Sequence, residues 1–255
     1  MSTPIPATIA NEVNQRLSHL VTSARGFFPA DDFSVRRLAG ELDKLMHVDA
    51  VNAYLFKSGL AQLIGDEKAM RRYLDCAGKL SSDPAVQRQA AGSLINLGFF
   101  SEAQPQFIKA SDPRRGQYSI GIVLGICCGA FSATVTLMEQ ADKLNIETPN
   151  GIRATAMKAH SILASEGITD EHVGQILDVA GDIMREQGLF YQGLEPSILP
   201  VDDAELGRCV YFTFLLAASA ERVVEMQYDL TCRLVDRFHE LPATLSVGFQ
   251  AAGLQ

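Results

Sequence analysis

The stretch Ala90–Ala110, AAGSLINLGFFSEAQPQFIKA, decides the fold. Small residues at Ala91 and Ala103 let two antiparallel helices approach closely, and Leu94, Phe107 and Ala110 fall at helical spacing, where they fill the seam between them. Gly98 makes the turn, since a residue free to adopt a left-handed backbone ends a helix at little cost. Ser101 with Gln104 has the spacing of a reciprocal capping box, which tolerates Pro105 at the edge of the first turn. The stretch predicts a helical hairpin.

The same chemistry recurs on both sides. Ala69, Tyr73 and Cys76, behind Gly65-Asp66, each lie 34 residues before Ala103, Phe107 and Ala110. Downstream, Gly129, Thr134, Met138 and Ala141 take the same relative places, and Gly167, Val173, Leu177 and Ala180 approximate them. From Ala7 to about Phe190 the chain reads as consecutive helices, divided by Pro29–Asp32, Gly65-Asp66, Ser82–Pro84, Gly98, Asp112-Pro113, Thr148–Gly151 and Gly167. Thr148 before Pro149 places a capping hydroxyl ahead of a proline whose missing N–H costs nothing in a first turn.

These positions resemble the tetratricopeptide repeat family, whose units are paired helices with small residues at the crossing and an aromatic in the second helix. The resemblance covers residues 50–145 and, more loosely, 150–190. Tyr54 matches the family's early aromatic loosely, as Pro84 and Pro113 match its closing proline. It implies a mainly α fold, a solenoid with a concave groove that holds a peptide or another protein. The resemblance places Asn52, Phe56, Gln87, Leu94 and Asn96 near that groove, on the earlier helix of each pair. Asn52, Lys57 and Asn96 do not match the spacing with which some members clamp a terminal carboxylate, so no such partner is expected.

After Phe190 the composition changes. Cys209–Leu216 is a β-branched and aromatic run typical of a buried strand, residues 219–238 read as a helix, and Ala243–Phe249 alternates like a second strand. This is a β-α-β unit with a third strand near Ser197–Val201, a small α+β module. The expected organisation is N-terminal helices over 1–49, helical repeats over 50–190 and the module over 191–255. Tyr211 shares one strand face with Thr213, and Phe212 the other with Phe214. So small a sheet has edges to cover, which gives the C-terminal strands a route to homo-oligomers.

The chain has 255 residues, 47% of them hydrophobic, and a formal charge of −8, enough apolar mass for a large core and no electrostatic footprint for a nucleic acid. Cys76, Cys127, Cys128, Cys209 and Cys232 form an odd set without a C-x-x-C pair, which fits neither a disulfide framework nor zinc. The histidines share no metal-ligand spacing, and no nucleophile-elbow, phosphate-loop or dinucleotide motif is present. No catalytic, cofactor or metal residues are therefore assigned. The start, MSTPIPATIANEV, has no basic region followed by an apolar run, and a cytoplasmic location is the expectation.

Gly116–Met138 is uncharged, has Gly121, Gly125 and Gly129 four apart, and is long enough for a membrane span flanked by Arg114-Arg115 and Glu139. The repeat phase runs through it, however, which favours two buried helices broken at Gly129. Arg71-Arg72 and Arg114-Arg115 are read as partners of acidic neighbours, and Asp202-Asp203 with Glu205 as a solvated loop. The sequence thus points to a protein–protein adaptor, chaperone or assembly factor. The alternative is an enzyme or small-ligand sensor with a site where the helical body meets the module, near Asp202, Asp203, Arg208 and His239.

Overall fold

The computed structural model describes residues 6–24, 26–111, 118–148, 150–189, 191, 196–205 and 207–252. Asp112-Pro113, Arg114-Arg115, Gly116, Pro149 and Phe190 lie outside the described residues. The chain begins with α1 (Pro6–Ser23) and α2 (Phe33–Leu45). Three pairs follow: α3 (Ala50–Leu63) with α4 (Glu67–Leu80), α5 (Pro84–Asn96) with α6 (Phe100–Ala110), and α7 (Tyr118–Cys127) with α8 (Phe131–Lys143). Then come α9 (Asn150–Ser165), α10 (Asp170–Glu186), β1 (Ser197–Asp203), β2 (Gly207–Leu216), α11 (Ala220–Arg237) and β3 (Leu245–Ala251). The fold is mainly helical, with a small three-stranded sheet at the C-terminal end.

Each pair reverses through the same turn. The second residue after the first helix takes a left-handed backbone at Gly65, Gly98 and Gly129, and the next N–H donates back five residues, from Asp66, Phe99 and Ala130 to the carbonyls of Ala61, Leu94 and Gly125. Helices α3, α5 and α7 lie side by side, with α4 against α3 and α5, and α6 against α5 and α7. The repeat register differs by one residue from the sequence reading. Gly65 and Gly98 mark equivalent turns, and the buried residues that follow at equal distance are Met70 and Ala77 on α4, Ala103 and Ala110 on α6. The interval is thus 33, because a methionine rather than Ala69 fills the first crossing.

Local caps start most helices. Asp32, Asp49, Asp66, Asp83, Thr169 and Ser219 each accept a backbone N–H of the helix they precede. Helices α6 and α8 follow Phe99 and Ala130, which have no side-chain acceptor, and here α10 supplies the caps. Asp178 accepts from Ser101 N–H (3.1 Å) and from its hydroxyl, and Asp170 accepts from Ser132 and Ala133 N–H (both 2.9 Å). The Ser101–Gln104 box does not form. Gln104 instead donates to the carbonyls of Cys128 (3.0 Å) and Asp170 (2.7 Å).

One face of α10 makes this possible. Asp170, Gly174, Asp178, Gly181 and Arg185 recur at three- and four-residue steps. A Cβ on Gly181 would meet the Gly98 backbone, and one on Gly174 would meet Ser101 Cα at 2.9 Å, so the two glycines let α10 touch the ends of the hairpins. Arg185 completes the face by donating to the Leu97 carbonyl at the end of α5 and stacking on Phe99 at 3.8 Å.

Glycines of the uncharged stretch are consumed in the same way. Gly125 faces Thr134 and Phe107, Gly121 faces Ser111 and Leu137, and Gly129 faces Val173 and Leu177 of α10. From Tyr118 on the stretch is divided between α7 and α8, and no helix among the described residues is long and apolar enough to cross a membrane.

In the sheet β1 runs antiparallel and β3 parallel to β2, with α11 as the crossover. Val210, Phe212, Phe214 and Leu216 form its buried face. Phe214 meets Phe100 of α6 at 5.3 Å and Tyr191 at 5.4 Å, so the sheet shares the main core with α4–α10. A second core is formed by α1, α2 and part of α3, around Val13, Leu38, Leu42, Leu45 and Leu63.

Candidate functional site

Two regions bear on function: the surface of α3, α5 and α7, and the junction between the helices and the sheet. On the first, the sequence-chosen residues separate by environment. Asn52 is tied to its own helix start, its N–H and Nδ2 donating to Asp49 at 3.1 and 2.7 Å. Phe56 is half-buried against the N-terminal core that α1 and α2 form. Leu94, 6% exposed, lies in the main core between helices. Gln87 and Asn96 remain partly exposed on α5, and neither side chain has a hydrogen-bond partner among the described residues. The Asn96 carbonyl accepts the Tyr191 N–H at 2.8 Å, which brings the segment after α10 against the end of α5.

Several charged side chains around this surface have partners. Arg71 donates to Glu67 and Glu102, each at 2.7 Å, and stacks on Phe99, as Arg185 does; the Glu102 bond first of all holds its guanidinium above its ordinary pKa. Arg72 sits over the Tyr73 ring at 4.9 Å. Lys57 pairs with Asp43 at 2.6 Å. Burial pushes the Asp178 carboxyl up, against the bonds from Ser101, and pushes Arg185 down. Burial also raises the Cys128 thiol, which makes it a poor nucleophile.

At the junction, Asp202 and Arg208 pair across β1 and β2 at 3.2 Å, and Asp203 turns the hairpin by accepting the Glu205 N–H at 2.8 Å. These three sit at the hairpin tip as a solvated ion pair and turn. His239 is exposed in the loop that follows α11. That loop walls a hollow of about 620 Å³, closed on the other side by the turn between α9 and α10 and the first turns of α10. Its size is that of a small-ligand site. Ile168, Ile176, Phe238 and Leu241 give it apolar walls, and Glu166, Glu240 and Thr244 are among its polar groups. None of these three residues was chosen from the sequence, because the hollow joins segments some seventy residues apart and no local motif marks them.

Among the described residues no group of three or more His, Cys, Asp or Glu side chains is arranged to hold a metal ion. Each outer strand of the sheet has one position without a free N–H. Val210 donates to Thr244, away from β1, so its partner Pro200 turns the position of its missing N–H to the open edge; on the far edge the Phe249 N–H is taken by Gln227 at 2.9 Å. No protein-family model matches the chain, and neither a curated protein nor a solved structure matches it.

Proposed function

We propose that the chain is an interaction protein without a catalytic centre, a tetratricopeptide-like solenoid that acts as an adaptor, chaperone or assembly factor by holding a segment of a partner protein across α3, α5 and α7. One observation carries the reading: three helical hairpins with the same left-handed turn place their first helices side by side, which is how stacked repeats build an extended surface. The unengaged amides of Gln87 and Asn96 on α5 supply the adaptable polar contacts such a surface needs. The partner is a protein or peptide rather than a nucleic acid, in keeping with the net charge of −8, and the cytoplasm is its setting.

Tagged full-length protein purified at its native expression level, with mass spectrometry of what accompanies it, tests this. A stoichiometric partner that is lost in the variant carrying Gln87→Ala and Asn96→Ala, but kept by Lys109→Ala on the exposed side of α6, supports the reading. A monodisperse chain with no partner, or a partner indifferent to the double substitution, overturns it.

A further inference from the structure

Two exposed apolar surfaces of this chain carry opposite charge. The first is a row on α11. Val224, Tyr228, Thr231 and Val235 follow one another at steps of four, three and four residues and so share one face. That face points away from the body, with Val224 68%, Tyr228 74% and Val235 65% exposed. Glu221, Glu225 and Asp236 run in the row beside it, and none of them has an ion-pair partner among the described residues. The arginines of α11 are taken up elsewhere, Arg222 by Gln187, Arg233 by Glu186 and Asp229, and Arg237 by Asp182. The row is therefore hydrocarbon with a carboxylate border.

The second surface is the groove between α1 and α2, about 430 Å³ in volume. Leu20, Phe33 and Leu38 give it its apolar lining; Leu38 is buried, whereas Phe33 is 72% exposed. Arg16 and Arg37 border it, and both guanidiniums converge on Glu41, the one carboxylate among the described lining residues. Gln15, His19 and Ser34 complete the lining and add no negative charge. One carboxylate against two guanidiniums leaves this border positive.

We propose that the two surfaces join one copy of the chain to a second: the α11 row of one copy lies in the α1–α2 groove of the next. Val224, Tyr228 and Val235 rest on Leu20 and Phe33, and the carboxylate border lies toward Arg16 and Arg37. An amphipathic helix laid by its apolar face into a groove is a recurring mode of recognition. Within one chain the two surfaces do not cover each other, since Phe33, Val224, Tyr228 and Val235 all stay exposed. Antiparallel pairing of the row with its own copy would bring Glu221, Glu225 and Asp236 of both copies along one side of the seam, and pairing of two grooves would set arginine against arginine; both juxtapose like charges. The contact is therefore head-to-tail, which builds rings or open chains rather than a closed two-fold dimer. Neither surface includes a residue of α3, α5 or α7, so the contact is independent of the adaptor reading.

Sedimentation velocity of the full chain as a function of concentration is the test. The parent is expected to self-associate with a midpoint of about tens of micromolar, the range of small interfaces. Raising the salt from about 0.05 M to about 0.5 M should weaken the association severalfold, because screening acts on the charged borders and spares the apolar contact. Phe33→Asp removes the groove's exposed ring, and the double variant Val224→Gln with Tyr228→Gln removes the row; all three positions are exposed, so the fold stays intact. Each variant alone should associate at least about tenfold more weakly and remain monomeric, since about 1.4 kcal/mol of contact is enough for that. Mixed in equal amounts, the two should form a dimer and nothing larger, because the intact row of the first then meets the intact groove of the second. A parent that stays monomeric up to about ten times the expected midpoint overturns the proposal. So does association that survives Phe33→Asp, which would set row on row, association that salt leaves unchanged or strengthens, or a mixture of the two variants that stays monomeric.

Discussion

Replacing Gly181 by alanine tests the way α10 closes the helical body. In an open helix this change is stabilising by about 1 kcal/mol, because glycine carries the larger backbone entropy. At Gly181 the new Cβ would run first into the Gly98 carbonyl oxygen and stand 2.7 Å from both Gly98 Cα and Gly98 C, where ordinary contact begins at 3.4 Å. Both partners are backbone, so no side chain can swing away, and α10 must withdraw by about 0.7 Å or more. That movement stretches the bond from Ser101 N–H to Asp178, now 3.1 Å, beyond hydrogen-bonding range, and strains the bond from Arg185 to the Leu97 carbonyl. Overpacking costs about 1–3 kcal/mol and the loss of a charge-assisted bond about 1.5–3, against the gain of about 1 in helix propensity. The net expectation is a loss of about 3 kcal/mol, read as a lower urea midpoint and a melting temperature about 6–12 °C below the parent. Gly40→Ala is the control: nothing lies within 4 Å of its Cβ, and it should gain about 0.5–1 kcal/mol. A Gly181→Ala protein as stable as the parent, or one that gains like Gly40→Ala, would refute the close docking of α10 on the hairpin ends.

Asp178 makes stability depend on pH in a stated direction. Burial raises its folded pKa, so its contribution is full below the ordinary carboxylate range and is lost as pH rises through the raised value; the advantage of the parent over Asp178→Asn in urea unfolding should shrink from about pH 4 to pH 7. An advantage that grows with pH would mean that the Ser101 bonds outweigh burial. The cysteines should separate by accessibility: an aromatic disulfide reagent labels exposed Cys232 in the folded protein, whereas Cys127 and Cys128 react only as the chain opens, Cys128 being buried with its thiol held high. Cys128 labelled as fast as Cys232 would contradict the packing of α7 on α8.

The helical hairpins were legible because what makes them is local. Each of α2 to α5 has an aspartate at its start, and the turns at Gly65, Gly98 and Gly129 fall within a few residues of the apolar positions they connect. The strands were legible for the same reason: Val210, Phe212, Phe214 and Leu216 alternate with less buried neighbours, and residues 219–238 carry a serine cap followed by a helical period. The capping of α6 and α8 was not, because the carboxylates come from Asp178 and Asp170, which are 77 and 38 residues away from the N–H groups of Ser101 and Ser132. A signal was present even so. Gly174, Asp178 and Gly181 are poor helix formers in the middle of a long amphipathic helix, and the face they share with Asp170 at its start marks a close approach to something polar.

Leu94 shows why the interaction surface was harder to read than the hairpins. It was expected both to fill the seam between α5 and α6 and to lie near the groove, and a side chain that is 6% exposed does only the first. On a helix that packs on four neighbours, apolar character marks the seams, and the open face is left to the positions between them, which on α5 include Gln87, Arg88 and Asn96. Phe56 follows the same rule from another cause. Its contacts come from α1 and α2, and no repeat pattern locates those helices, since they precede the first hairpin and form a core of their own with α3. A surface built from stacked helices is therefore read best from the polar residues left between two apolar seams, and least well at the ends of the stack, where neighbours outside the repeat decide which face stays open.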